Sequence, residues 1–186
     1  MSDKQRTLEE QKEEFKQKKL LASPIAGIIA WSVVALSGLF FSDEITVWVL
    51  FIATGSIVYL AMAISKFTGE DYLDKNKPKN TFDNLFFLTV AQAVLVYSIA
   101  IPFFIENYTS LPLTVGILTG LMWVTLTWII DHWVGLFHAI ARTVLVVVLW
   151  YLFPADRFVT IPIAIVIVYI VSILILKNRN SRADKS

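Results

Sequence analysis

The sequence contains no cysteine and little charge for its length. The absence of cysteine among its 186 residues excludes disulfides, thiolate metal ligands and a cysteine nucleophile. Charged residues make up only 17% of the chain, against roughly 25% in a soluble domain, while hydrophobic residues make up 56%. The net charge of +1 lacks the basic excess that is typical of nucleic-acid-binding domains. We therefore expect no nucleic acid among the partners and a lipid bilayer as the environment.

Charge is nearly absent from six apolar runs, each close to the roughly 20 residues that a helix needs to cross a bilayer. The runs are apolar on every face, whereas the strands of a membrane barrel alternate apolar and polar residues. Because backbone groups inside a bilayer must be paired within the segment, these runs predict helices. The predicted fold is an all-α polytopic bundle of six transmembrane helices, with spans at residues 24–41, 45–65, 85–105, 111–130, 134–153 and 158–176.

Basic residues are concentrated in the segments that would lie on one side of these spans. All but two of the 16 Lys and Arg residues lie before the first span, in the 66–84 connection or after the last span. Such an excess marks the cytoplasmic side, so we predict a cell-membrane protein with both termini in the cytoplasm. Residues 1–22 are expected to form a charged lead-in helix, 23–176 the six-helix domain, and 177–186 a basic cytoplasmic tail.

Arg142 is the most unusual residue of the predicted spans. It lies about 12 Å into the fifth span from Val134 at 1.5 Å per residue, where an arginine costs about 2.5 kcal/mol or more. None of the 15 Asp and Glu residues lies deep inside a span. His138 is one turn before Arg142, so we expect the guanidinium to reach toward His138 and, beyond it, toward Asp131 and His132. Three interpretations remain open: a snorkelling arginine paired with Asp131, a site for an anionic ligand or lipid head group, or a proton relay through His138.

The sequence gives only weak support to a metal site. His132 and His138 flank a turn and do not share a helix face, whereas zinc usually needs three or four convergent ligands. We therefore predict no metal site and no cofactor, and we assign no catalytic residue. Gly116 and Gly120 form a G-x-x-x-G pattern that lets helices approach closely, either within the chain or at a homodimer interface.

Three segments carry a family resemblance. They are the charged lead-in from Leu8 to Lys19 running into a first span with Pro24 and Gly27, the Ala53-Thr54-Gly55-Ser56 stretch, and the segment from Asp131 to Arg142. Together they resemble a family of uncharacterised bacterial six-helix integral membrane proteins, known only as a domain of unknown function. The resemblance implies a topology and a bacterial inner membrane, and it implies no activity.

Two functions are therefore carried forward. The first is binding or transport of a small anionic molecule or lipid at a cytoplasm-facing site. Arg142 and His138 of the fifth span would form this site together with Asp131 and His132 of the turn before it. Gln92 and Tyr97 of the third span would form part of its wall. The alternative is a structural or accessory membrane protein that assembles with itself or with a partner. An intramembrane enzyme is a third class, for which the sequence offers no convincing nucleophile.

Overall fold

The computed structural model describes residues 6–72, 74 and 78–183, and over this part of the chain it is helical without any strand. Parts of the predicted lead-in (1–5), long connection (73 and 75–77) and tail (184–186) lie outside the described residues. A 3₁₀ turn is formed by Tyr108–Ser110. The α-helices are α1 (Leu8–Lys16), α2 (Ala22–Phe40), α3 (Asp43–Gly55), α4 (Ile57–Thr68), α5 (Thr81–Leu95), α6 (Tyr97–Glu106), α7 (Leu111–Leu118), α8 (Met122–Ile129), α9 (Val134–Leu152) and α10 (Arg157–Ala183).

Among the described residues, five stretches are long and apolar enough to cross a membrane. A sixth is obtained if the bent pair α3 and α4 is counted as one span. The all-α prediction is confirmed, and the predicted six spans agree with the larger of these two counts. The five stretches are Ala22–Phe40, Thr81–Glu106, Tyr108–Ile129, Val134–Leu152 and Arg157–Ser181.

The second predicted span is not one continuous helix, because α3 and α4 meet at Ser56 with a bend of 49°. Gly55 and Ser56 form the kind of Gly/Ser pair at which helices commonly kink. The Thr54 hydroxyl also donates to the Leu50 carbonyl at 2.7 Å, so a side chain engages the backbone beside the break. A hydropathy pattern does not register this break, because none of these residues interrupts the apolar run.

Two helices extend beyond the predicted spans. Helix α5 begins at Thr81, four residues before the predicted span, because the Asn80 side chain accepts from the Phe82 N–H at 2.9 Å and caps the helix. Helix α10 continues to Ala183, so the described part of the predicted tail is helical.

Helix α2 lies at the centre of the bundle and packs against α3, α4 and α10, while α10 also packs against α9. Trp31, Leu50 and Ile165 are fully buried between these helices. Large apolar side chains cover the outer faces, with Ile52 70% exposed and Leu88 67% exposed. A soluble monomer rarely exposes apolar patches of this extent, so the outer faces have the character of a lipid-facing surface.

Helix α1 closes one end of the bundle. Lys12 and Lys16 lie 2.9 and 3.3 Å from the carboxylate oxygens of Asp131, in the turn between α8 and α9. Near the end of α10, Arg179 donates to the carbonyls of Lys16 and Lys18 at 2.8 Å each. The N-terminal segment, the α8–α9 turn and the C-terminal end of α10 therefore lie at the same end of the molecule, which we call the polar end.

The long connection after α4 is joined to the polar end by Glu70. Its carboxylate accepts from the N–H groups of Leu21 and Ala22 at 2.9 Å each, where α2 begins. An anion is favoured there by the unpaired N–H groups and the helix dipole. Tyr72 donates to the same carboxylate at 2.9 Å, and burial raises the pKa of Tyr72, which keeps its hydroxyl protonated. The polar end thus gathers all three basic segments.

We expect Asp131→Asn to loosen α1 from the bundle. The hydrogen bond from Lys12 lowers the pKa of Asp131, so its contribution is present above the ordinary carboxyl pKa and is lost as pH falls through the lowered value. Asp131 has φ of 47°, a conformation that asparagine also adopts. Because its side chain is half exposed, the loss should be below about 1 kcal/mol and smaller at high salt.

The measurement is hydrogen exchange of the α1 amides at neutral and acidic pH. After correction for the intrinsic pH dependence of amide exchange, acidification should lower the protection factors of the α1 amides more in the parent protein than in the variant. Asp156→Asn, at an exposed position before α10, serves as the control. Equal α1 protection in the parent and the Asp131 variant would show that these ion pairs do not hold α1.

Candidate functional site

The fourth predicted span is interrupted in its middle, between α7 and α8. There the Gly120 N–H bonds to the Ile117 carbonyl at 2.9 Å, three residues before it. A regular α-helix would use the Gly116 carbonyl, four residues before it. The tighter turn therefore leaves the Gly116 carbonyl available to another donor. Tight turns of this kind inside a helix often mark functional positions.

Arg142 on α9 occupies this break and is fully buried. Its Nε donates to the Gly116 carbonyl at 2.5 Å, its Nη2 to the Thr119 hydroxyl at 2.8 Å, and its Nη1 to the Tyr169 hydroxyl at 3.1 Å. These acceptors belong to α7, to the break itself and to α10. A single side chain thus ties three neighbouring segments together in the interior of the bundle.

The positive charge of Arg142 is stabilised by neutral groups. Within the described part of the chain, none of its hydrogen-bond partners is a carboxylate. The guanidinium carbon lies 5.3 Å from the ring centre of Trp31 and 5.4 Å from that of Tyr169, within the range of cation–π attraction. The carbonyl and hydroxyl dipoles and the faces of the aromatic rings therefore stabilise the charge of Arg142 without neutralising it.

Glycines make room for this arrangement. A Cβ atom on Gly120 would lie 2.8 Å from Cδ of Arg142, and one on Gly27 would lie 2.4 Å from Cζ of Tyr169. A Cβ on Gly116 would approach Ile165 to 3.3 Å. Gly116 and Gly120 thus face the interior of their own chain, which agrees with the alternative that this pair packs helices within the chain. The space beside Gly120 is occupied by Arg142.

His138 lies one turn before Arg142 but does not bond to it. Its ring stacks on Trp123 with centres 4.0 Å apart and contacts Tyr169 at 4.6 Å. Its Nδ1 lies 2.9 Å from the Ser172 hydroxyl, which itself donates to the Val168 carbonyl. We therefore assign the proton to Nδ1. Nε2 is buried with no partner among the described residues.

The expected contact between Arg142 and the α8–α9 turn is wrong. Asp131 lies eleven residues before Arg142, about 16 Å along the helix, and is paired with Lys12 and Lys16. His132 accepts from the Val134 N–H at 3.2 Å, so it belongs to the start of α9. Burial lowers the pKa of His132, with the charge of Arg179 adding to the effect. The acceptors at the helix break are nearer to Arg142 than either turn residue, and they satisfy it instead.

The two residues expected on the wall of the site are elsewhere. Gln92 lies on the exposed face of α5. The Tyr97 hydroxyl, at the start of α6, is 2.7 Å from the Thr54 hydroxyl on α3. Neither residue contacts Arg142, because the α5–α6 span packs at the periphery, mainly on α8 and α7.

A partly enclosed cavity of about 90 Å³ lies beside the arginine. Its walls are mostly apolar, and they come from α2, α3, α4, α5, α8 and α10 together with residues that flank these helices. Two of Arg142's partners, Thr119 and Tyr169, are part of these walls. The lining residues are Leu20, Ser23, Pro24, Thr54, Ile57, Val58, Ala61, Met62, Tyr72, Phe86, Phe87, Val90, Thr119, Met122, Trp123, Leu126 and Tyr169.

Sequence reasoning missed the partners of Arg142 and His138 on α10, which are Tyr169 and Ser172. Tyr169 and Ser172 are polar residues one turn apart within the last apolar run, and that spacing on one helix face was the available signal. Nothing in the sequence pairs them with residues about 30 positions earlier.

In the part of the chain that the structure describes, no group of three or more His, Cys, Asp or Glu side chains could hold a metal ion.

The fold indicates the class of protein and does not indicate an activity. It is an all-helical bundle with the long apolar helices of a multi-pass membrane protein. The sequence profile of DUF7010, a family of unknown function, matches residues 8–179, and the chain belongs to this family. No curated protein and no solved structure matches the chain.

We expect Gly120→Ala to destabilise the protein by about 1–3 kcal/mol, because the new methyl group would overlap an arginine held by three hydrogen bonds. Gly55→Ala is the control, since a Cβ there meets nothing within 4 Å. It should be neutral or stabilising by up to about 1 kcal/mol. Unfolding in detergent measures both variants. Similar losses in the two would mean that the contact with Arg142 does not decide the outcome.

We expect Arg142→Lys to be less stable than Arg142→Met. Lysine keeps a buried cation but lacks the planar fork that reaches three acceptors, whereas methionine removes the charge and the need to solvate it. The difference should be about 1–3 kcal/mol in the same unfolding assay. A lysine variant as stable as the parent would show that the fork does not hold the break.

Proposed function

We propose that the protein binds a small amphipathic molecule in the cavity beside Arg142. The observation that carries this proposal is the composition of the cavity wall. Apolar side chains such as Val58, Met62 and Phe87 form most of it, while Thr119 and Tyr169 bring two hydroxyl groups that bond to the arginine. Ligand sites commonly combine apolar walls with a few fixed polar groups.

The size of the cavity restricts its occupant. At about 90 Å³ it is smaller than the roughly 150 Å³ cavity known to hold benzene. A whole phospholipid does not fit, whereas a small head group or a few methylene groups do. Helix α4 packs mainly on α2 and α5 mainly on α8, so α4 and α5 face each other across the cavity. A longer apolar chain would leave between these two helices toward the lipid.

We also propose how the protein lies in its membrane. The polar end gathers the basic segments, and an excess of Lys and Arg faces the cytoplasm. Both termini would then be cytoplasmic, in the inner membrane of a bacterium as the family resemblance implies. The cavity would be reached from the cytoplasmic half of the bilayer, since Leu20 and Tyr72 at the polar end are part of its wall.

The structural or accessory alternative has one observation in its favour. Gln92 is exposed near the middle of the α5–α6 span, and an amide facing lipid is unfavourable unless another polar group bonds to it. A second copy or a partner subunit would supply that group. Under this alternative the cavity has no ligand, so filling it would leave the bound masses unchanged.

The test is native mass spectrometry of the purified protein and two variants. Ala61 is buried and lines the cavity, so Ala61→Phe should fill it. Ala63 lies on the same helix but is exposed, so Ala63→Phe adds the same group outside the cavity. A bound mass should be present in the parent and in Ala63→Phe and absent from Ala61→Phe. The same adducts on all three proteins, or none on the parent, would contradict the proposal.

A further inference from the structure

Tyr169 is part of the cavity wall, and its hydroxyl group is a donor without an acceptor among the described residues. It accepts an N–H from Arg142 at 3.1 Å, and its own proton has no acceptor among the described residues. Thr119 differs, because its hydroxyl donates to the Val115 carbonyl at 2.6 Å while accepting from Arg142. Of these two partners of the arginine, only Tyr169 has a proton left for a ligand.

The electrostatics of the wall select the kind of acceptor. A hydroxyl that accepts a hydrogen bond from a cation becomes a stronger donor itself. The buried guanidinium is not paired with a carboxylate among the described residues, so its field in the cavity is positive. In a medium of low polarity this field favours an anionic oxygen over a neutral one.

We infer that the molecule bound in the cavity carries a carboxylate, and that this group accepts the hydrogen bond of the Tyr169 hydroxyl. The inference rests on the proposed binding function and names its ligand class, a carboxylic acid with an apolar chain. Arg142 supplies the compensating charge from one hydrogen bond away, since its guanidinium is fully buried and is not part of the cavity wall. Recognition is therefore indirect, unlike the direct arginine contact expected from the sequence.

Two substitutions distinguish loss of the Tyr169 donor from a general weakening of the hydrogen bonds to Arg142. Tyr169→Phe and Thr119→Val each remove one hydroxyl that accepts from Arg142 and keep much of the side-chain shape. Only Tyr169→Phe also removes the proton offered to the cavity. A general weakening of the arginine cluster would affect both variants alike, whereas loss of the ligand's donor affects one. Thermal unfolding of each variant shows that it is folded before it is compared.

The probes are octanoate and its methyl ester, titrated against the detergent-solubilised protein and followed by native mass spectrometry. The parent should bind octanoate about tenfold to a hundredfold more tightly than the ester, the range for a hydrogen bond to a charged group. Tyr169→Phe should lose most of this preference, whereas Thr119→Val should lose less of it, because its hydroxyl proton is already donated to the Val115 carbonyl. Ala61→Phe should bind neither probe.

The outcomes distinguish failure of the carboxylate inference from failure of the proposed binding function. Equal binding of both probes by the parent, abolished in Ala61→Phe, would overturn the carboxylate inference and leave the cavity as a binding site. Equal loss of preference in Tyr169→Phe and Thr119→Val would also overturn it, because the hydroxyl proton would then not matter. Probe binding that Ala61→Phe does not change, or no binding to the folded parent, would overturn both proposals.

Discussion

The structure depends on the solvation of one buried cation. A fully buried guanidinium has no water around it, so Arg142 needs acceptors from the protein. The tight turn at Gly120 releases the Gly116 carbonyl, and Arg142 takes it at 2.5 Å. Each feature supports the other, because the released carbonyl would otherwise be unpaired and the arginine unsolvated. The helix break and the arginine are therefore one structural unit.

The same unit shapes the cavity. Tyr169 and Thr119 bond to the arginine on one side and form part of the cavity wall on the other. Tyr169 can stand there because Gly27 leaves space for its ring against α2. A residue that stabilises the bundle is thus also part of the cavity wall. Architecture and binding, the two functions suggested by the sequence, need not exclude each other at this site.

Charge is separated along the molecule. Four carboxylates that form ion pairs lie at the polar end, where lysines and Arg6 contact them: Glu13, Glu14, Asp83 and Asp131. Arg142 lies deep between the helices without such a partner. A carboxylate at the polar end can exchange one partner for water at little cost, whereas the arginine cannot. This difference explains why Asp131 stays with α1 instead of reaching the interior.

The sequence by itself determined the helices, their approximate spans and the exceptional position of Arg142. Those properties follow from local hydropathy and from the cost of a charge in lipid, which depend on one segment at a time. Only the tertiary structure decided the breaks at Ser56 and Gly120, the partners of Arg142 and the position of the cavity. A hydrogen bond between Arg142 and Tyr169 joins side chains 27 residues apart on different helices. Hydropathy carries no information on which helix faces meet, because every face of these helices is apolar enough to be buried.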